Sequence, residues 1–206
     1  MSRQRSFQKP PPATLDGFPV WDLGADVDLF RCHRASRGPW WFTGLGQGRF
    51  DLVPPRGTCY LGLDEAAAVR EAVGPELVDF GCITADFASA RRVSRVRVPE
   101  RHRLADLTAS EAADFGVTRE LCSMTPYDVP QRWATALAAR AGGIRYEPRF
   151  STGPDAVAVA LFGEMGDPGW PESERESVSL GVVARRVGIE VRRAPSSVTV
   201  VQPPVR

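Results

Sequence analysis

Four side chains in the first half of the 206-residue chain, Arg31, Arg49, Tyr60 and Glu71, are of the types that recognise an anionic ligand carrying an aromatic ring. Guanidinium forks match phosphate oxygens in pairs and stay charged at any working pH. Gly46 and Gly48 lead into Arg49, and residues without a Cβ let the backbone come close to such a group. A tyrosine offers a flat face for a heterocycle and a hydroxyl to orient it. A carboxylate beside a sugar can hydrogen-bond a ribose hydroxyl and stabilise a developing oxocarbenium ion. The familiar nucleotide fingerprints are absent. There is no P-loop, and Gly44-Leu45-Gly46 lacks the third glycine and the strand-to-helix setting of a dinucleotide site.

The elements that must position these groups alternate in type. Arg31 lies in Phe30–Arg34, at the end of an expected strand, and Tyr60 lies in a second one over Thr58–Leu63. Asp64 is placed to cap a helix through Ala66–Val73, which Gly74-Pro75 is expected to stop, leaving Glu71 near its end. Arg91–Val98 alternates and reads as a half-exposed strand, its arginines facing solvent. Thr108 and Glu111 have the spacing of a capping box for a short helix ending near Gly116. Pro130 and Gly142-Gly143 bracket a helix over Gln131–Ala141. Beyond it Ile144–Tyr146, Ala156–Phe162, Val178–Val183, Val187–Arg192 and Val198–Gln202 read as strands, with a long loop around Gly166–Pro171. The fold class is therefore mixed α/β or α+β. Residues 1–15, rich in Pro, Ser and Arg, are expected to be a disordered tail, and 16–202 a single domain.

Composition excludes several classes. Hydrophobic residues make up 43% and charged residues 25%, the balance of a soluble globular protein. The formal net charge of +1 gives no electrostatic case for nucleic acid or an anionic membrane as main partner. No apolar run approaches the roughly 20 residues of a membrane helix, and the N-terminus lacks a signal peptide's apolar stretch. Cys32, Cys59, Cys82 and Cys122 are widely separated and His33 and His102 are the only histidines, so no metal site is expected. Buried, reduced cysteines and a cytoplasmic location are expected.

The ordered pieces Phe30-Arg31-Cys32-His33, Pro39-Trp40-Trp41-Phe42, Gly48-Arg49-Phe50-Asp51, Gly57-Thr58-Cys59-Tyr60-Leu61-Gly62 and Ala67-Ala68-Val69-Arg70-Glu71 closely resemble the RES domain family, over roughly residues 28–163. That resemblance implies a fold similar to ADP-ribosyltransferase toxins, with a split, mainly antiparallel sheet around a cleft for NAD⁺. It implies a toxin of a type II toxin–antitoxin pair that destroys NAD⁺, by phosphorolysis to nicotinamide and ADP-ribose 1″-phosphate or by hydrolysis. NAD⁺ is then substrate, not cofactor, with inorganic phosphate as co-substrate. The partner it implies is an antitoxin with a helix-turn-helix region that covers the cleft, and a homo-oligomer is compatible with it. In this reading Arg31 and Arg49 hold pyrophosphate or incoming phosphate, Tyr60 stacks on or orients the nicotinamide riboside, and Glu71 stabilises the cationic transition state. The family's serine has no clear counterpart: Ser123, Thr125, Asp128 and Ser151 are the nearby groups, with Asp128 and Ser151 carried forward as binding residues. Two alternatives stay open, transfer of ADP-ribose to an acceptor and a catalytically inactive NAD-binding module.

Overall fold

In the computed structural model, which describes residues 6–153, 156–171 and 177–193, eight strands join in one sheet. They are β1 (Val20–Leu23), β2 (Leu29–Arg34), β3 (Arg56–Gly62), β5 (Arg91–Val96), β6 (His102–Asp106), β7 (Gly143–Tyr146), β8 (Ala158–Glu164) and β9 (Ser177–Ser179). Their order is β1-β6-β7-β8-β3-β2-β5-β9, antiparallel throughout except for the parallel pair β6 and β7. Two short strands, β4 (Ile83–Thr84) and β10 (Val191–Arg192), pair separately in parallel. Four helices complete the fold: α1 (Glu65–Phe80), α2 (Ala85–Ser89), α3 (Asp128–Leu137) and α4 (Leu180–Arg186). The α+β expectation holds.

The sheet is split, as the resemblance implies. β3 is zipped to β8 along its whole length, from Arg56 opposite Glu164 to Gly62 opposite Ala158. β2 is likewise paired with β5 over six positions. Between them, β2 and β3 meet in register only at Phe30 opposite Gly62, and beyond that point they splay apart. A strand pair that stops hydrogen-bonding leaves a gap in the floor of the sheet, and the cleft described below opens there.

Alternation along the strands builds a core on each face. On β8, Ala158, Ala160 and Phe162 pack with Trp133, Ala134 and Leu137 of α3, whereas Val159 and Leu161 pack with Trp40, Phe42 and Leu61 on the opposite face. Burial on both faces explains why β8 reads as an uninterrupted apolar run. A third cluster, Val69, Val73, Ile83, Leu180 and Val183 among its members, holds α1 and α4 against β4 and β5.

Several local expectations need correction. α1 does not stop at Gly74-Pro75 but runs on to Phe80, where Gly81 adopts the left-handed conformation and closes it. Glu71 therefore sits mid-helix. The Thr108–Glu111 box does not form: Thr108 bonds Asp106 instead, and the following 3-10 turn over Ser110–Phe115 starts at Ala109 without a side-chain cap, although it does end at Gly116. α3 begins three residues before Gln131 and ends at Leu137. Val178–Val183 is not one strand; β9 ends at Ser179 and Leu180, Val183 and Ala184 turn one helical face to the core. Of Val187–Arg192 only Val191–Arg192 is strand. Arg91 and Arg92 are half-buried, Arg91 over the Phe87 ring and Arg92 bonded to Ser177, so only Arg95 and Arg97 face solvent. Within the described part of the segment expected to be a tail, Gln8 is 3% exposed and Leu15 is buried, while most of its other residues are exposed. Val198–Gln202 and Pro203–Arg206 lie outside the described residues.

Candidate active site

β3 and the helix that follows it set two of the four side chains. Gly62 ends β3, and a Cβ there would collide with the Ala68 amide and the Asp64 carbonyl, so glycine lets α1 start directly against the strand. The Asp64 carboxylate accepts the Ala67 N–H at 2.8 Å as N-cap. Seven residues on, Glu71 looks into a cavity of about 360 Å³ beneath the splayed strands. Arg31, Arg49, Tyr60 and Glu71 all line it, with Cys32, Gly48, Tyr127, Tyr146 and Phe150. The structure thus brings together the four residues singled out in the sequence.

Glu71 is held from the far side of the cleft. The Phe150 N–H donates to its Oε1, and the Phe150 ring lies against α1 at Gly74, where a Cβ would fall inside the ring. Gly74 is thus a docking point and not a helix stop. Burial raises the proton affinity of Glu71 above the ordinary glutamate value; the Phe150 N–H, the positive charge of Arg49 and then that of Arg149 pull it back. The balance is a carboxylate kept basic by desolvation and facing a fixed cation.

Arg49 is 8% exposed, and one Nη1–H donates to the Cys122 carbonyl while the guanidinium lies 5.4 Å from the Tyr127 ring centroid. Its Nε–H is buried and has no partner among the described residues. An unsatisfied buried cationic donor is costly and finds its natural complement in an anion.

Tyr60 and Asp51 shape the loop that carries Arg49. The Tyr60 hydroxyl donates to Asp51 Oδ1 at 2.9 Å and accepts the Phe50 N–H at 2.8 Å. Asp51 Oδ2 accepts the Gly48 N–H at 2.9 Å. Gly48 leaves no room for a Cβ between the Asp51 carboxylate and the Tyr60 hydroxyl. Burial pushes the Tyr60 hydroxyl well above its ordinary value, with Asp51 adding to it, and burial also raises Asp51. The hydroxyl of Tyr60 is therefore committed to the loop, and its ring is what the cleft receives.

Arg31 is committed too. Its Nη1 donates to the Pro39 carbonyl and to Cys59 Sγ at 2.9 Å, and its Nη2 to the Trp41 carbonyl at 2.7 Å. It ties the Pro39–Phe42 segment to the sheet and leaves two of five N–H groups for anything else. Asp128 does not reach the cleft: it is exposed at the start of α3, in a separate depression with Gly46, Asp51 and Arg132. Ser151 lies on the other side of Phe150, in a neighbouring depression with Arg70 and Thr152, its buried hydroxyl unpartnered. Ser123 bonds carbonyls of its own turn. His33 is a structural histidine, its Nδ1 within 2.7 Å of the Arg37 carbonyl and Nε2 within 2.9 Å of Ser94 Oγ. Sequence reasoning missed Asp51, Tyr127, Tyr146 and Phe150. Asp51, inside the Gly48–Asp51 motif, and Tyr146, in the expected strand Ile144–Tyr146, carried a signal.

With this geometry in view, the comparisons with known proteins are specific. The family model described as RES domain matches residues 28–179, well over half the chain. A chain of the crystal structure of the M. tuberculosis MbcT–MbcA toxin–antitoxin complex superposes with a TM-score of 0.59 at 14% identity, covering 80% of this chain and 90% of that one. At that identity the likeness speaks for the fold. A search of curated proteins finds no match.

Proposed function

The chain belongs to the RES domain family, and from that premise we propose that it cleaves NAD⁺ at the bond between nicotinamide and ribose, acting as the toxin of a toxin–antitoxin pair. The observation that carries the reading is the pairing, in one cleft, of a buried guanidinium with an unsatisfied N–H and a desolvated carboxylate. One suits a phosphate group and the other a sugar acquiring positive charge.

Each residue's part follows from its contacts. Arg49 takes a phosphate oxygen through its guanidinium, with Arg31 offering its spare donors at the cleft wall. The rings of Tyr60, Tyr127 and Tyr146 flank the heterocycle. As the C–N bond breaks, its electron pair moves to the pyridinium nitrogen and nicotinamide leaves neutral, so no proton need be donated to it. Glu71 faces the cation that develops on the ribose and lowers its energy electrostatically. Phosphate then attacks the anomeric carbon through oxygen to give ADP-ribose 1″-phosphate. If water attacks instead, its proton goes to Glu71, whose raised proton affinity suits that role. We favour phosphorolysis, with the N–H groups that Arg31 leaves uncommitted receiving the incoming phosphate.

An antitoxin covering this cleft is the partner proposed, by analogy with the toxin–antitoxin complex whose chain shares the fold. Its helix-turn-helix character belongs to the same proposal, as does action in the cytoplasm; among the described residues no helix is long and apolar enough to cross a membrane. The test is incubation of the purified protein with NAD⁺, with and without inorganic phosphate, followed by mass spectrometry. ADP-ribose phosphate appearing only with phosphate is the expected result. Plain ADP-ribose in both conditions identifies a glycohydrolase, label in an acceptor identifies a transferase, and intact NAD⁺ throughout overturns the enzymatic reading.

A further inference from the structure

Arg49 is carried by a loop that its own sequence leaves loose. Gly46 adopts the left-handed conformation at φ +71°, and Gly48 follows after a single residue. Two glycines around Gln47 give the backbone wide freedom when unrestrained. Yet Arg49 must hold a guanidinium in a narrow cleft, and a catalytic group displaced by about 1 Å can cost on the order of a hundredfold in rate. Something outside the loop has to fix it.

From the strand side the fixing groups are Tyr60, whose hydroxyl engages Asp51 and the Phe50 N–H, and Thr58, whose hydroxyl donates to the Phe50 carbonyl at 2.9 Å. On the other side the Cys122 carbonyl and the Tyr127 ring meet the guanidinium itself, and one side chain of α3 holds the loop backbone. Gln131, in the first turn of α3, donates through Nε2 to the Gly46 carbonyl at 3.0 Å and to the Gly48 carbonyl at 3.0 Å. A primary amide nitrogen has two N–H groups, and here they grip the backbone on both sides of Gln47. α3 is itself fixed, with Trp133 wholly buried and its Nε1–H donating to the Lys9 carbonyl at 2.8 Å.

We propose that Gln131 is a positioning residue for Arg49: its side-chain amide clamps the Gly46–Asp51 loop so that the guanidinium stays aimed into the cleft. The proposal rests on the reading of that cleft as an NAD⁺ site only for the identity of the substrate. Gln131 is absent from the lining of the cleft and touches it only through the Gly48 carbonyl. It acts through the loop.

The experiment compares Gln131→Ala with Arg49→Ala, the double variant, and Thr135→Ala as a control one turn further along α3. Thermal melts check that each variant is folded. In steady-state nicotinamide release from NAD⁺, Gln131→Ala is expected to raise KM roughly tenfold with a smaller change in kcat, while Thr135→Ala matches the parent protein. In calorimetric titrations with inorganic pyrophosphate, Gln131→Ala is expected to weaken binding about tenfold, and the double variant to bind no more weakly than Arg49→Ala alone. A Gln131→Ala variant within about twofold of the parent in pyrophosphate binding, or losses that simply add, overturns the proposal. A parent protein that releases no nicotinamide yet binds pyrophosphate through Arg49 removes the proposed activity but leaves this test standing. A parent that binds no pyrophosphate overturns the clamp's purpose along with it.

Discussion

Glu71 carries opposing demands that can be separated by one oxygen-to-nitrogen exchange. Because burial raises its folded-state value, ionising it costs the folded protein free energy. The stability linked to the protonated form is fully present below the unfolded value of about 4.3 and is lost as pH rises through the folded value. Glu71→Gln keeps an oxygen to accept the Phe150 N–H but removes the charge. Its melting temperature at pH 7 is expected to exceed the parent's, with the gap closing as pH falls, which a melting series across pH 4–8 checks. In kcat/KM the same group gives an acidic limb with a midpoint above the ordinary glutamate range. Asp51→Ala is the complementary case: it strips the Tyr60 hydroxyl and the Gly48 N–H of their acceptor. Loss of about 1–3 kcal/mol in urea denaturation is expected. The four ligand-type residues were legible in the sequence because their chemistry is written in their side chains. What Arg31 and Tyr60 spend their hydrogen bonds on was not, since their partners sit on a loop whose path depends on the folded sheet.

At the scale of elements, α1 is where sequence rules and tertiary packing part. Gly74-Pro75 is a strong stop signal, yet the helix passes through it. Pro75 removes one helical hydrogen bond, the one to the Glu71 carbonyl, while Leu77 in the turn beyond it packs against the same core cluster that buries Val69 and Val73. Gly74 in turn accommodates the Phe150 ring. Gly74→Ala gains about 1 kcal/mol of helix propensity but drives a Cβ into that ring. The expected net result is a less stable and less active protein, and the penalty is expected to shrink when Phe150 is also replaced by alanine, as paired melts and nicotinamide-release assays can show. Val178–Val183 illustrates the reverse difficulty. A short β-branched run fits strand and buried helix equally, and the spacing of Leu180, Val183 and Ala184 against the core decides for helix.

Over the whole molecule, the segment ahead of the family-matched residues is tied into the site's supports. The Gln8 side chain accepts from Thr118 N–H and Oγ1 and donates to the Lys9 and Gly116 carbonyls, and the Phe7 and Gln8 amides donate to Glu120. Those partners lead directly into the turn ending at Cys122, whose carbonyl holds Arg49. A composition of Pro, Ser and Arg reads as disorder because it offers little apolar area. What anchors the segment instead is the saturated Gln8 amide, the Phe7 and Gln8 N–H groups on Glu120, the Trp133 bond to the Lys9 carbonyl and the buried Leu15 side chain. Gln8→Ala is expected to cost about 1–3 kcal/mol, or a drop of several degrees at roughly 2–4 °C per kcal/mol for a chain of this length. Scanning calorimetry checks it. A split sheet, by contrast, followed from the family resemblance alone, and its place between β2 and β3 was not legible, because nothing in either strand's composition marks where their pairing ends.

The measurement that bears most directly on the central claim is nicotinamide release from NAD⁺ by the parent protein and by Glu71→Gln, side by side, after both are shown to be folded. The account predicts release by the parent and a fall of at least about a hundredfold in the variant, the scale on which removing a transition-state-stabilising group acts. Equal release by both, or none by the parent, contradicts it.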